Sequence, residues 1–148
     1  MRREVAAENA YKNGLMFYLG RLTKLNEEMQ DLGYQFATDL KKGTVPAGWQ
    51  EFVDKSLAES QKIVEGMDGL KPPRKYREFH ELFVEYHRGQ LEDSSAMMRA
   101  LESMDRSAIE KVMRETEQRE NEWKRKIEAA VRRQGAKSLQ EFLGFPSE

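Results

Sequence analysis

The stretch that decides the fold is Leu70-Lys-Pro-Pro-Arg-Lys-Tyr-Arg-Glu-Phe-His80, which separates two long regions of helical apolar periodicity. Proline has no N–H group and is excluded from a helix interior, but it is favoured at the first helical position. Gly66 and Gly69, just upstream, can end the preceding helix. We therefore predict that one helix ends before this hinge and that the next begins at Pro72, which divides the chain into two helical hairpins.

Four segments of the chain repeat apolar residues every three or four positions, as amphipathic helices do. We expect these helices over residues 4–42, 47–67, 72–102 and 105–134. Gly14 is a candidate break in the first helix, and Gly43-Thr-Val-Pro46 is expected to end it. Asp105 is placed to cap the fourth helix, because its carboxylate can accept hydrogen bonds from free backbone N–H groups.

A short turn is expected over residues 138–143, where Ser138 and Glu141 form a capping-box pattern. Its apolar residues, Phe142 and Leu143, either cap the open end of the protein or pack on a partner. Four long helices joined by short loops pack most simply as an antiparallel up-down-up-down bundle. The sequence therefore predicts a single all-α domain over residues 1–148, a four-helix bundle with a short C-terminal helical turn.

Composition excludes several classes of function. The chain has no cysteine, which removes disulfides, thiolate chemistry and cysteine-based zinc sites. Its net charge of −1 gives no reason to expect nucleic acid as a partner. No apolar run has the roughly 20 residues that a membrane span needs, and the N-terminus lacks the pattern of a signal peptide. We expect a soluble, cytoplasmic protein, or an extracellular one if a leader or anchor was removed.

The residues around the hinge follow a pattern that resembles one found in other proteins, in the order Ile63-Val64, Met67, Leu70, Pro72-Pro73, Tyr76 and His80. The run from Ala100 to Asp105, a tight turn before the next helix, accompanies it. Over roughly residues 49–130 the chain resembles a broad group of small, mostly uncharacterised bacterial four-helix-bundle domains. The resemblance implies the bundle fold and no catalytic residues. Many members are secreted proteins or lipoproteins, but this chain lacks their anchoring cysteine.

The candidate site residues are His80, His87 and Glu120. The two histidines lie seven residues apart on nearly one face of the third helix, and Glu120 is the polar residue on the apolar stripe of the fourth. Imidazole and carboxylate suit a divalent transition metal. However, two helical turns separate the histidines by about 10 Å, and the Glu-x-x-His motif of di-iron bundles is absent. The alternative is that these residues have structural roles and that no cofactor binds.

The methionines permit two interpretations. Met97 and Met98 either fill the core or line an adaptable binding groove. The sequence also contains no nucleophile–base pattern and no glycine-rich phosphate loop. We therefore predict a non-enzymatic interaction or scaffold protein, whose partner is another protein or a second copy in a homodimer. The alternative function is a bundle that binds a metal ion or a small ligand through His80, His87 and Glu120.

Overall fold

The structure, a computed structural model, describes residues 2–42 and 47–144, apart from the side chains of residues 37, 40 and 41. It contains five helices in these ranges, α1 (Arg2–Lys41), α2 (Trp49–Asp68), α3 (Arg77–Ser103), α4 (Arg106–Arg133) and the short α5 (Leu139–Leu143). A 3-10 turn (Arg74–Tyr76) precedes α3, and no strand is found in the described residues.

Each long helix packs antiparallel against the next one in the chain. Gly66, near the end of α2, faces Tyr18 in the first half of α1, and Trp49, at the start of α2, stacks on Phe36 near the end of α1. α2 packs in turn on α3, and the most extensive contact is between α3 and α4. The predicted all-α, up-down-up-down four-helix bundle is confirmed.

The predicted start of the third helix at Pro72 is wrong. Pro73 has an extended backbone (ψ 158°), the 3-10 turn follows it, and α3 begins only at Arg77. The physical reason lies in the double proline, because a residue that precedes proline is disfavoured in the helical conformation. The 3-10 turn, closed by the Tyr76 N–H bond to the Pro73 carbonyl at 2.8 Å, places the Tyr76 side chain in the core.

A polar network ties this hinge to α1. The Tyr76 hydroxyl donates to Glu8 Oε1 at 2.5 Å, and Lys12 Nζ lies 2.9 Å from the same oxygen. The hydrogen bond from Tyr76, followed by that from Lys12, lowers the pKa of Glu8. Tyr76 therefore holds the hinge in place in two ways, because its ring is buried in the core and its hydroxyl is bonded to α1.

The predicted caps of the later helices are confirmed. The Asp105 carboxylate accepts from the backbone N–H of Ser107 at 2.9 Å and from that of Ala108 at 3.4 Å. Ser138 Oγ accepts from the backbone N–H of Glu141 at 3.1 Å and so caps α5. These polar side chains satisfy N–H groups that have no partner within the helix.

Gly14, the candidate break in the first helix, does not interrupt it, because α1 runs through this position. A side chain there would crowd the hinge that follows α2, since a Cβ atom built on Gly14 would lie 2.7 Å from Leu70 Cδ2. The glycine therefore allows α1 to pack closely against this hinge. The expected end of the first helix at residues 43–46 lies outside the described residues.

The main core fills one end of the bundle, where α1 begins and α4 ends. Phe142 and Leu143 of α5 are buried in it, and the Phe142 ring lies 4.9 Å from that of Tyr76. The C-terminal segment thus caps the bundle, as one of the two alternatives predicted. The fully buried residues of α4 (Ile127, Ala130 and Val131) all lie in its second half, so the bundle is less tightly filled along the first half of α4.

Candidate functional site: a cavity between the four helices

A cavity of about 280 Å³ lies among the four long helices. This volume is just below the range of about 300–1,000 Å³ typical of small-molecule sites. The apolar part of its wall is contributed by α1, α2 and α3 through Leu22, Met29, Val64, Leu91, Met97 and Met98. Met97 and Met98 are half-buried and line the cavity, and Met98 also packs against a second core cluster formed by Phe36, Trp49 and Val53.

The polar part of the wall comes mainly from one stripe of α3. His87, Gln90 and Ser94 are spaced by three and four residues, and this spacing places them on one helix face. Around them the wall is completed by further polar side chains, which are Asn26, Ser60, Asp93 and Thr116. The cavity therefore has an apolar body with polar groups gathered along α3, which is the usual arrangement in small-molecule sites.

His87 is the most unusual of these groups. The residue is only 8% exposed, and its Nδ1 atom is buried with no hydrogen-bond partner. The rings of Phe83 and Tyr86 meet the imidazole edge-on, at centroid distances of 4.5 and 5.2 Å. Burial lowers the pKa of His87 to about 4, although the polar side chain of Gln90 beside the ring acts to raise it. The imidazole is therefore neutral at pH 7 and has an unused hydrogen-bonding nitrogen.

Asp93 contributes a carboxylate to the same wall. Arg119 Nε of α4 lies 3.0 Å from Asp93 Oδ2, but the two groups are not aligned as a hydrogen bond, and Oδ2 is buried. Arg119 reaches this position by crossing α3 at Gly89, where a Cβ atom would lie 2.6 Å from its Nη1. The glycine in the middle of α3 is thus explained, and the charge of Asp93 is opposed by that of Arg119.

The three residues predicted as a metal site have different surroundings. His80 Nδ1 is hydrogen-bonded to the Tyr11 hydroxyl at 3.0 Å, and burial lowers the pKa of His80. Burial and then the charge of Glu120 raise the pKa of Tyr86. Of the three, only His87 lines the cavity. No group of three histidine or carboxylate side chains able to hold a metal ion occurs among the described residues.

Sequence reasoning missed Asp93, Arg119 and the hydroxyl groups of the cavity wall. A signal was present, because the run Asp93-Ser94-Ser95 lies in the interior of α3. Serine and aspartate are poor helix formers there, since their side chains compete for backbone hydrogen bonds. Gly89, a few residues upstream, adds a second unfavourable residue within the same two turns. Such a cluster in a helix interior marks a site whose packing or function overrides helix propensity.

The chain matches no protein-family model, no curated protein and no solved structure. Among the described helices, none is both long enough and apolar enough to cross a membrane. The function is therefore inferred from the cavity itself.

Proposed function

We propose that this protein binds a small, mainly apolar molecule in the cavity between its four helices. The observation that carries the proposal is His87, a nearly buried side chain in the cavity wall whose Nδ1 atom has no partner. Buried polar side chains almost always have a hydrogen-bond partner, and an exception calls for an explanation. A ligand that supplies the missing bond to Nδ1, after a half-turn of the ring presents this nitrogen to the cavity, is such an explanation.

The apolar wall supports the same function. Removal of apolar surface from water stabilises a complex by about 25 cal/mol per Å², and the cavity presents apolar side chains from three helices. Met29, Met97 and Met98 have flexible, polarizable side chains that can adjust to the shape of a ligand. This arrangement favours an organic molecule over a bare metal ion.

The interaction or scaffold role predicted from the sequence stays a prediction. Among the residues that the structure describes, the exposed large apolar side chains are Val5, Met16, Phe17, Tyr34, Met104 and Met113. They are distributed over α1, α4 and the turn between α3 and α4, and none of them lines the cavity. The cavity combines apolar and polar groups at one place, and this is why we favour ligand binding.

The experiment is a fluorescence titration with N-phenyl-1-naphthylamine, an uncharged dye that brightens in apolar surroundings. Thr116→Phe should fill the cavity from α4 and weaken dye binding at least tenfold. Met113→Phe is the matched control, because Met113 lies on the same helix but is 57% exposed and outside the cavity. The control should bind like the wild type. Equal binding by all three proteins, or no saturable binding by the folded wild type, would overturn the proposal.

A further inference from the structure

We infer that the cavity selects an uncharged ligand with a hydroxyl group on an otherwise apolar body, and that His87 recognises this hydroxyl. The inference rests on the proposed function and deepens it. It assigns a chemical class to the ligand and a specificity-determining role to one residue. Three features of the cavity wall support it, which are its charge balance, the fixed imidazole and the neighbouring hydroxyl groups.

The charges of the wall are balanced before any ligand binds. The carboxylate of Asp93 has the guanidinium of Arg119 beside it, with 3.0 Å between Oδ2 and Nε. The other polar side chains of the wall are amides, hydroxyls and the imidazole of His87. A charged ligand group held against this wall would find no unpaired opposite charge there, which is costly wherever the group loses its hydration. An uncharged ligand avoids this penalty.

The imidazole of His87 is held in place by its neighbours. The Phe83 and Tyr86 rings meet it edge-on, at centroid distances of 4.5 and 5.2 Å, so they restrict the ring to one plane, and only a half-turn within that plane exchanges the positions of its nitrogen and carbon atoms. A neutral imidazole has one N–H donor and one acceptor nitrogen, and the tautomer decides which nitrogen is which. A hydroxyl group can both donate and accept, so it satisfies His87 in either tautomer. A carbonyl or an ether oxygen can only accept.

The hydroxyls of the wall can complete the recognition. Ser60 of α2 is 8% exposed, and Ser94 of α3 and Thr116 of α4 line the same cavity. Each hydroxyl rotates to donate or to accept as its neighbour requires. A ligand hydroxyl that bonds to His87 therefore has candidate partners for its second hydrogen bond on three different helices.

The test compares three ligands of one shape by isothermal titration calorimetry at pH 7, which are naphthalene, 2-naphthol and 2-naphthoate. One additional neutral hydrogen bond predicts that 2-naphthol binds about fivefold to tenfold more tightly than naphthalene. We expect 2-naphthoate to bind most weakly, because its carboxylate is unpaired in the cavity. His87→Phe keeps an aromatic ring and removes both nitrogens, so it should abolish the preference for 2-naphthol while naphthalene still binds.

His80→Phe is the matched control, because His80 is as buried as His87 but is bonded to Tyr11 outside the cavity wall. It should keep the preference for 2-naphthol. If His87→Phe fails to fold, His87→Leu is measured in its place. Equal affinities for naphthalene and 2-naphthol, or a preference that survives in the His87 variant, would overturn the inference and leave the proposed function standing. Failure of all three ligands to bind would overturn the proposed function itself.

Discussion

Acid should destabilise the bundle through the buried imidazole of His87. Burial lowers its pKa to about 4 in the folded protein, whereas a histidine in an unfolded chain has a pKa of about 6.5. Between these two values the unfolded chain binds a proton that the folded protein does not. The free energy of unfolding is therefore highest above about pH 6.5 and falls as the pH decreases toward 4, by about 1.4 kcal/mol per pH unit within the window.

His87 then accounts for a decrease of about 3 kcal/mol in the free energy of unfolding between pH 7 and pH 4. His87→Phe should remove it, because phenylalanine fills the site without titrating. The assay is urea unfolding of both proteins at pH 7, 5.5 and 4, followed by circular dichroism. Other groups that titrate in this range, such as His80 and Glu8, are present in both proteins and cancel in the difference between the two curves.

We expect the free energy of unfolding of the wild type to fall by about 3 kcal/mol more than that of His87→Phe across this range. The difference in stability between the two proteins should therefore change in favour of the variant as the pH decreases. Parallel curves for the two proteins would refute the reasoning, because they would mean that His87 titrates alike in the folded and unfolded chains. The NMR titration of the imidazole protons gives an independent check, in which one histidine should remain neutral well below pH 6.

Three further predictions concern the end of α3, the packing of α5 and the absence of a stabilising metal ion. Met104 has a left-handed backbone (φ 56°) after the end of α3, so Met104→Gly should raise the free energy of unfolding by about 0.5–1 kcal/mol, measured by urea unfolding. Phe142 is 3% exposed against Tyr76 and Phe79, so Phe142→Ala should lower it by about 3–5 kcal/mol, and no change would mean that α5 serves a partner rather than the core. A chelator should leave the melting temperature unchanged. A melting temperature lowered by the chelator, together with bound metal detected by elemental mass spectrometry, would support the metal site predicted from the sequence.

The long helices were predictable because the rules that specify them act locally. Apolar periodicity identifies the buried face of each helix, and caps such as Asp105 need only their own backbone neighbours. The error at Pro72 was also local, since the following Pro73 restricts its backbone. Gly14 was misjudged for a different reason, because the close contact that requires a glycine there is with Leu70, a hinge residue 56 positions later in the chain.

The candidate site was less predictable, because it depends on how side chains from four helices meet. His80 and His87 share a stripe in the sequence, yet one is bonded to Tyr11 and the other lines a cavity. Periodicity cannot distinguish these surroundings, and it cannot reveal a hollow. The role of Asp93 depends in turn on Arg119, which lies 26 positions later in the chain.

The measurement that tests ligand binding most directly is methyl NMR of the protein labelled on its methionines, titrated with N-phenyl-1-naphthylamine. Three methionines line the cavity, which are Met29, Met97 and Met98. Three others are exposed outside it, which are Met16, Met104 and Met113. We predict saturable shifts of the first three signals with one common affinity, and little change in the exposed ones. Shifts confined to the exposed methionines, or no saturable shift at all, would contradict the assignment of this cavity as a ligand site.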